Sequence, residues 1–242
     1  MRNPRIYLPQ PMVVDSHFDL SEGAANHVAR VLRMKAGDPL VLFDGEDNGF
    51  QARILEVHKR RVRVEITSEL VSGTETPLPV HLGQVMSRGD RMDWAIQKAT
   101  EMGVNEITPL YSERCEVRLN PERARKRLAH WQQIAVSACE QCGRNRVPKL
   151  HPPLPIEQWS GAQSSDLKLV LHHRTEQSLA SHPAPQQVSL LIGPEGGLSP
   201  QEIADALDAG FHGTALGPRV LRTETAPVAA LALIQYLWGD IG

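Results

Sequence analysis

Two stretches near the carboxyl end decide how the chain is read: Leu190-Leu-Ile-Gly-Pro-Glu-Gly-Gly-Leu-Ser199 and Leu216-Gly-Pro-Arg-Val-Leu-Arg-Thr-Glu-Thr-Ala-Pro227. Each begins in a short apolar run of strand character, passes through a loop rich in Gly and Pro, and enters a helix. Ser199-Pro200-Gln201-Glu202 is a capping box with proline in the first helical turn, so the first of these helices has a defined start. Two strand-loop-helix corners side by side are how α/β proteins build a small-molecule pocket at the carboxyl ends of strands.

Working outward, Val188 to Ile192 lacks polar alternation apart from Ser189, as expected of a strand covered on both faces. Leu167 to Leu171 is another strand, and it ends at His172-His173-Arg174. Adjacent histidines on an extended chain point to opposite faces and chelate poorly, so they read as pocket rim rather than as metal ligands. Further upstream, a strand over Val80 to Met86, a helix over Asp90 to Met102 and a strand over Glu106 to Leu110 form a strand-helix-strand unit with parallel pairing. Asn120 caps a long helix to Cys142, whose apolar stripe is Ala124, Leu128, Trp131, Ala135, Ala138 and Cys142; Arg123, Arg125, Lys126, Arg127 and His130 lie mostly outside it. Pro148 to Pro155 reads as a connection and Gln177 to Gln187 as a loop. A short strand over Thr214 to Leu216 leads through the Gly217 to Arg222 loop to a final helix, Glu224 to Trp238. That helix is apolar nearly all round and needs more than one neighbour, such as a second subunit.

The amino-terminal part has a different character. Leu40 to Phe43, Phe50 to Val57 and Arg61 to Thr67 are β-rich runs, and Asp44-Gly-Glu-Asp-Asn-Gly49 between the first two carries hairpin turn signals. With a helix from about Ala24 to Met34, these argue for a small barrel or half-barrel ending near Ser72. Ser72 to Pro79 reads as a linker.

At 242 residues and 41% hydrophobic content, the chain can bury one good core or two modest ones. Val228 to Ile234, the longest apolar run, is too short to span a bilayer, and the amino terminus lacks a signal-peptide apolar region, so cytoplasm is expected. Three cysteines fit a reducing compartment; Cys139 and Cys142 sit inside a helical pattern and lack further matched ligands, so packing is expected of them and not metal or redox chemistry. A net charge of -2 does not announce a polyanion partner, but Glu113 to Lys149 holds nine basic residues against four acidic ones. Such a patch is either a solvated helix face or an electrostatic footprint for nucleic acid. The same two readings stand for Arg2, Arg5, Arg30, Arg33 and Lys35.

The glycines Gly193, Gly196 and Gly197 let backbone approach a ligand closely, yet neither a Gly-Lys-Ser/Thr phosphate loop nor Gly-x-Gly-x-x-Gly is present, and Glu195 would repel a polyphosphate. The loop suits a ligand with hydroxyls and a positive centre. In the second corner, Arg222 can make paired hydrogen bonds to a carbonyl edge or an anion, and Glu224 can accept a proton or hold a cation. The alternative is a plain helix entry, with Thr223 or Thr225 as cap and Glu224 at the positive helix end.

Ile192-Gly-Pro-Glu-Gly-Gly-Leu-Ser199 and Leu216 to Ala226, supported by His81-Leu-Gly-Gln-Val-Met-Ser87, Gln97-Lys98, Ser112-Glu-Arg-Cys115 and Cys139-Glu-Gln-Cys-Gly-Arg-Asn-Arg146, resemble the SPOUT (trefoil-knot) methyltransferases. Within them, the chain is similar over essentially its whole length to the bacterial enzymes that methylate N3 of a uridine in 16S ribosomal RNA. Arg222-Thr-Glu-Thr225 stands where ribose-methylating members carry an Asn- and Ser-containing motif. The resemblance implies an α/β trefoil-knot SPOUT domain over residues 78-242, preceded by a PUA-like RNA-binding β-barrel domain over 1-73. It implies S-adenosylmethionine held by Leu171, His172, Ile192, Gly193, Pro194, Glu195, Gly196, Gly197, Leu216, Gly217, Val220, Leu221, Thr225 and Ala226, with Arg222 and Glu224 as catalytic residues. RNA would meet Arg2, Arg5, Arg30, Arg33, Arg123, Arg127, Arg144 and Arg146, on a homodimer acting on 16S RNA within the 30S subunit. No metal is expected. The expected reaction is direct displacement, uridine N3 attacking the sulfonium methyl, with no covalent enzyme intermediate. The rival from another class is a non-catalytic RNA-binding ribosome-assembly factor, which would bind no S-adenosylmethionine.

Overall fold

A computed structural model describes residues 3-58, 61-71, 73-172, 175 and 178-242. They group into two units, residues 1-75 together with 139-147, and residues 76-138 together with 148-242.

The first unit contains β1 (Arg5–Tyr7), β2 (His17–Asp19), α1 (Glu22–Asn26), β3 (Pro39–Phe43), β4 (Gly49–Val57) and β5 (Val62–Leu70). The strands form one mixed sheet in the order β1-β3-β4-β5-β2, with β1 parallel to β3 and the other pairings antiparallel. On β5 the period of two is plain: Val62, Val64 and Ile66 are buried, with Arg63 and Glu65 between them less so. They join Ile6, Val28, Leu40, Leu42 and Ile54 in the core of a half-barrel. The β3-β4 turn is closed by the Asp44 carboxylate, which accepts from the Glu46 and Asn48 amides at 2.7 and 3.2 Å. β1 and β2, three residues each, carry too little pattern to be read from sequence. The helix expected from Ala24 to Met34 is in two pieces: α1 gives way to a wider, π-helical turn at His27–Val31. Arg33 then takes a φ of 54° where the helix would have continued.

The second unit contains β6 (Val80–Val85), α2 (Arg91–Glu101), β7 (Glu106–Tyr111), α3 (Pro121–Cys142), β8 (Lys149–Leu150), β9 (Leu154–Pro155), α4 (Ile156–Gly161), β10 (Leu167–Leu171), β11 (Val188–Ile192), α5 (Pro200–Asp208), β12 (His212–Thr214) and α6 (Thr225–Trp238). The last turn of α3 groups with the first unit. The sheet runs β12-β10-β11-β6-β7-β8, with β9 also on β7, and every pairing is parallel. All five residues of β11 are buried, as the missing polar alternation requires. Asn120 caps α3, its side-chain oxygen accepting from the Arg123 amide at 2.9 Å. At α5 the Ser199 and Glu202 halves of the capping box are both made.

Three differences from the sequence reading have local causes. The strand expected over 214-216 is His212–Thr214, because β10 offers partners only as far as Leu171, which pairs with Thr214. The proline-rich connection holds two short strands and leads directly into α4, which at six residues is too short to display a helical period. The expected linker is partly packed: Thr76 and Leu78 are buried, and the Thr76 hydroxyl donates to Gln235 Oε1 of α6 at 2.6 Å.

Strands β7 and β8 succeed β6 on one side, whereas β10, β11 and β12 lie on the other, so strand succession reverses at the β6-β11 junction. In open parallel sheets, ligands enter the crevice outside the carboxyl ends of strands at such a reversal.

Gly83 on β6 faces the buried indole of Trp159, and a Cβ there would come within 2.6 Å of the ring. Gly83→Ala is expected to cost about 1 to 3 kcal/mol by overpacking, read as a lower urea midpoint at unchanged slope. Nearby, burial pushes the His81 imidazole down from 6.5 to about 4. A histidine kept neutral in the fold contributes stability that is complete above 6.5, the unfolded value, and that is lost as pH falls from 6.5 towards 4. Urea unfolding across that window should show a decline that His81→Gln lacks.

Candidate active site

A cavity of about 730 Å³ lies at the carboxyl ends of β10, β11 and β12, a volume in the usual range for a small-molecule site. Its walls come from the end of β10 (Leu171, His172), the loop after β11 (Ile192 to Leu198), the start of α5 (Pro200, Ile203), the segment after β12 (Thr214 to Gly217, then Arg219 to Glu224), and Ala226. Arg91, at the start of α2, and Arg114, after β7, complete it.

The two glycine-rich corners are joined inside. Thr223 is buried; its hydroxyl donates to the Gly193 carbonyl at 2.8 Å and accepts from Gln84 Nε2 at 3.2 Å. A Cβ on Gly193 would meet Leu198 at 3.0 Å from Cγ and 3.2 Å from the backbone nitrogen, so this approach suits only glycine. Gly197 and Gly217 adopt φ of 68° and 86°, the left-handed region that side chains avoid. Two arginines hold the first loop from outside the glycines: Arg114 Nη1 donates to the Gly196 carbonyl at 3.1 Å and Arg91 Nη1 to Glu195 Oε1 at 2.8 Å. Arg91 Nε also stands 3.9 Å from Glu224 Oε1.

Glu224 is the N-cap residue of α6, but its side chain makes no capping hydrogen bond. Its Oε2 is buried without a hydrogen-bond partner among the described residues, as is the Thr214 hydroxyl on the same cavity. In the plain helix-entry reading this carboxylate is thus no hydrogen-bonding cap, only a negative charge at the positive end of α6. Thr223 does not cap the helix either, since its hydroxyl is engaged by Gly193 and Gln84.

Every residue expected to hold a cofactor lines the cavity except Thr225, an exposed residue in the first turn of α6. Arg222 and Glu224 line it as well. Of the adjacent histidines, His172 lines the cavity and His173 lies outside the described residues. Sequence reading missed Arg91, Arg114, Thr214, Arg219 and Thr223 as members of the site. The one available signal for Arg91 was its position just beyond the carboxyl end of β6, on the ligand-binding edge of a parallel sheet.

A parallel sheet with two tied loops at its reversal point, following a small half-barrel, defines a SPOUT-type RNA methyltransferase. Residues 74-235 match a family model described as an RNA methyltransferase domain, and residues 20-67 match one described as an RNA methyltransferase PUA domain. The chain belongs to the ribosomal RNA small subunit methyltransferase E family. The family member from Buchnera aphidicola (strain Sg) is 37% identical over 99% of this chain and 98% of its own length. The Neisseria gonorrhoeae member, solved bound to S-adenosyl methionine, superposes with a TM-score of 0.95 at 41% identity over the whole of both chains. A Legionella pneumophila protein described as a methyltransferase, also solved with bound cofactor, gives 0.96 at 43% identity over 99% of this chain and 100% of its own.

The arginines expected to meet RNA divide sharply. Arg30, Arg33, Arg123, Arg127 and Arg146 are exposed, the last paired with Asp47 at 2.5 Å, while Arg2 lies outside the described residues. Arg5 and Arg144 are buried, which corrects their reading as RNA contacts. Arg5 Nη2 donates to the Arg144 carbonyl at 3.0 Å and to Asn145 Oδ1 at 2.5 Å. The Arg144 guanidinium, 3% exposed, sits against Glu75 at 2.9 Å, and Glu75 Oε1 also accepts from the Asn145 and Arg146 amides. The charged motif after α3 is thus an internal fastening of the first unit. Cys139, buried beside it, has its thiol pushed up to about 12 by burial, as suits a packing cysteine.

Removing one partner of a buried ion pair strands the other, at a cost of about 3 to 5 kcal/mol. Glu75→Ala should destabilise the protein by an amount of that order, whereas Arg127→Ala, on the exposed face of α3, should stay within about 0.5 kcal/mol. Urea denaturation of the two variants measures the contrast.

Proposed function

We propose that this protein transfers a methyl group from S-adenosylmethionine to N3 of one uridine in 16S ribosomal RNA within the 30S subunit. The observation that carries this reading is the pairing, on one cavity wall, of Arg222 at the exposed rim with a Glu224 carboxylate whose buried Oε2 has no partner among the described residues. The residues present fit the cofactor. Leu171, Ile192, Leu216 and Leu221 offer apolar walls; the Gly193 to Gly197 backbone can be approached closely; carboxylates at Glu195 and Glu224 suit a cationic centre. Bound there, the cofactor supplies an activated methyl group on a sulfonium.

The protein's own tasks follow from uridine chemistry. Neutral N3 carries a proton and is a weak nucleophile. Glu224 takes that proton on its carboxylate, and Arg222 hydrogen-bonds the uracil carbonyls, where the negative charge resides. Holding nucleophile, methyl carbon and departing sulfur in line can supply about 7 to 11 kcal/mol. The target base must leave its stack to present N3.

Residues 1-73 serve as the PUA-like RNA-binding domain, with 139-147 grouped into the same unit, and the remainder of 78-242 as the methyltransferase domain. The exposed Arg30, Arg33, Arg123 and Arg127 supply phosphate contacts. A homodimer covers Leu233, Tyr236 and Leu237 of α6 and the following Ile241, which are 36 to 65% exposed in the single chain. The enzyme works in the cytoplasm; no helix among the described residues is long and apolar enough to cross a membrane.

Calorimetry with S-adenosylmethionine separates this reading from a non-catalytic assembly factor, which would bind none. With saturating cofactor and 30S subunits lacking the modification, Glu224→Gln should lower turnover about a hundredfold or more, in line with the loss of a general base, and Arg222→Ala should also lower it. Mass spectrometry of the RNA locates the methyl group. Near-normal turnover in both variants would sink the assignment.

A further inference from the structure

Among the described contacts, Glu224 has a single oriented neighbour, Arg91, whose Nε stands 3.9 Å from Oε1. The same guanidinium donates to Glu195 Oε1 at 2.8 Å, so one side chain spans from the carboxylate of the first loop to that of the second. The three side chains are 42%, 35% and 18% exposed for Arg91, Glu195 and Glu224. At such exposure ion pairs contribute little to stability, so fold maintenance does not account for the bridge. The geometry has a different consequence: Arg91 faces Oε1 at 3.9 Å, an ion-pair distance and not a hydrogen bond, while Oε2 is buried without a hydrogen-bond partner among the described residues.

We propose that Arg91 is a positioning residue for Glu224: anchored by its hydrogen bond to Glu195, its guanidinium stands 3.9 Å from Glu224 Oε1 and orients that carboxylate electrostatically. This rests on the proposed reaction, in which Glu224 accepts the N3 proton. Arg91 touches neither base nor methyl group in this role. Its guanidinium suits the task because a planar fork can face two carboxylates at once in fixed geometry.

The test is a double-mutant cycle on the full-length chain, using 30S subunits lacking the modification and labelled methyl donor. Arg91→Ala should lower kcat at least about tenfold, towards the roughly hundredfold that a misplacement of about 1 Å can cost, while the dissociation constant for S-adenosylmethionine by calorimetry stays within about threefold. Arg91→Lys, which keeps the charge but not the fork, should recover only part of the loss. In a Glu224→Gln background, Arg91→Ala should change the residual rate less than about twofold, since residues acting as a unit are non-additive. Arg91→Gln provides the same reading if the alanine variant does not fold. An additive tenfold loss in the Glu224→Gln background, or a loss of cofactor affinity large enough to explain the whole effect, overturns the proposal while leaving the reaction standing. Wild-type turnover in Glu224→Gln overturns both.

Discussion

The site depends on one buried hydroxyl. Thr223 ties the Gly193 carbonyl to Gln84 at the end of β6, and so joins three segments that are far apart in sequence: a central strand, the loop after its neighbour, and the entry to the last helix. Without the tie the Thr223 hydroxyl would lose both of its partners, whereas Gln84 Nε2 would still reach the Val85 carbonyl at 3.1 Å. A buried polar group without a partner costs about 1 to 3 kcal/mol, so the three segments are held in register by the requirement that this hydroxyl not stay unpaired. Gly193 sits at the same junction, where a Cβ would press on Leu198 at 3.0 Å from Cγ and 3.2 Å from the backbone nitrogen.

The tie also divides the charges. Glu224, among the residues lining the cavity, is partly buried, whereas Arg219 and Arg222 on the same loop are exposed. Carboxylates near a cationic cofactor and arginines near a polyanionic substrate are complementary to two ligands arriving from different directions. A global charge of -2 conceals this arrangement. The basic count after β7 misleads in the opposite way, because Arg144 is spent on Glu75 inside the first unit and contributes nothing to an external field.

Much of the architecture was legible because the sequence carries strong local signals: the capping box at Ser199, the Asn120 cap, the missing polar alternation of β11 apart from Ser189, and the period of β5. What escaped was either too short to display a period, as with β1, β2 and α4, or set by distant contacts. The end of β12 is fixed by where β10 stops. The burial of Arg144 is fixed by Glu75, some seventy residues earlier. For the site, the two corners were visible as residue types and spacing, and the motifs identified the family. Arg91 and Thr223 were not visible as site members, because their roles exist only once β6, the first loop and the second loop have been brought together. Thr225 stands apart from the other residues expected to hold the cofactor: it is exposed on the first turn of α6 and outside the cavity lining, which takes Glu224 and Ala226.

The unpaired atoms around the cavity carry the last step. Gln84 Oε1, Thr214 Oγ1 and Glu224 Oε2 are buried without partners among the described residues, and all three belong to the cavity wall or to the tie that holds it. Native proteins satisfy nearly all buried polar atoms, and exceptions concentrate where function requires them. A carboxylate oxygen left in this condition is a poor choice for a helix cap or an ion pair, since one rotation would serve either. It is a good choice for a group whose partner arrives with a ligand, since the desolvation cost is then already met in folding.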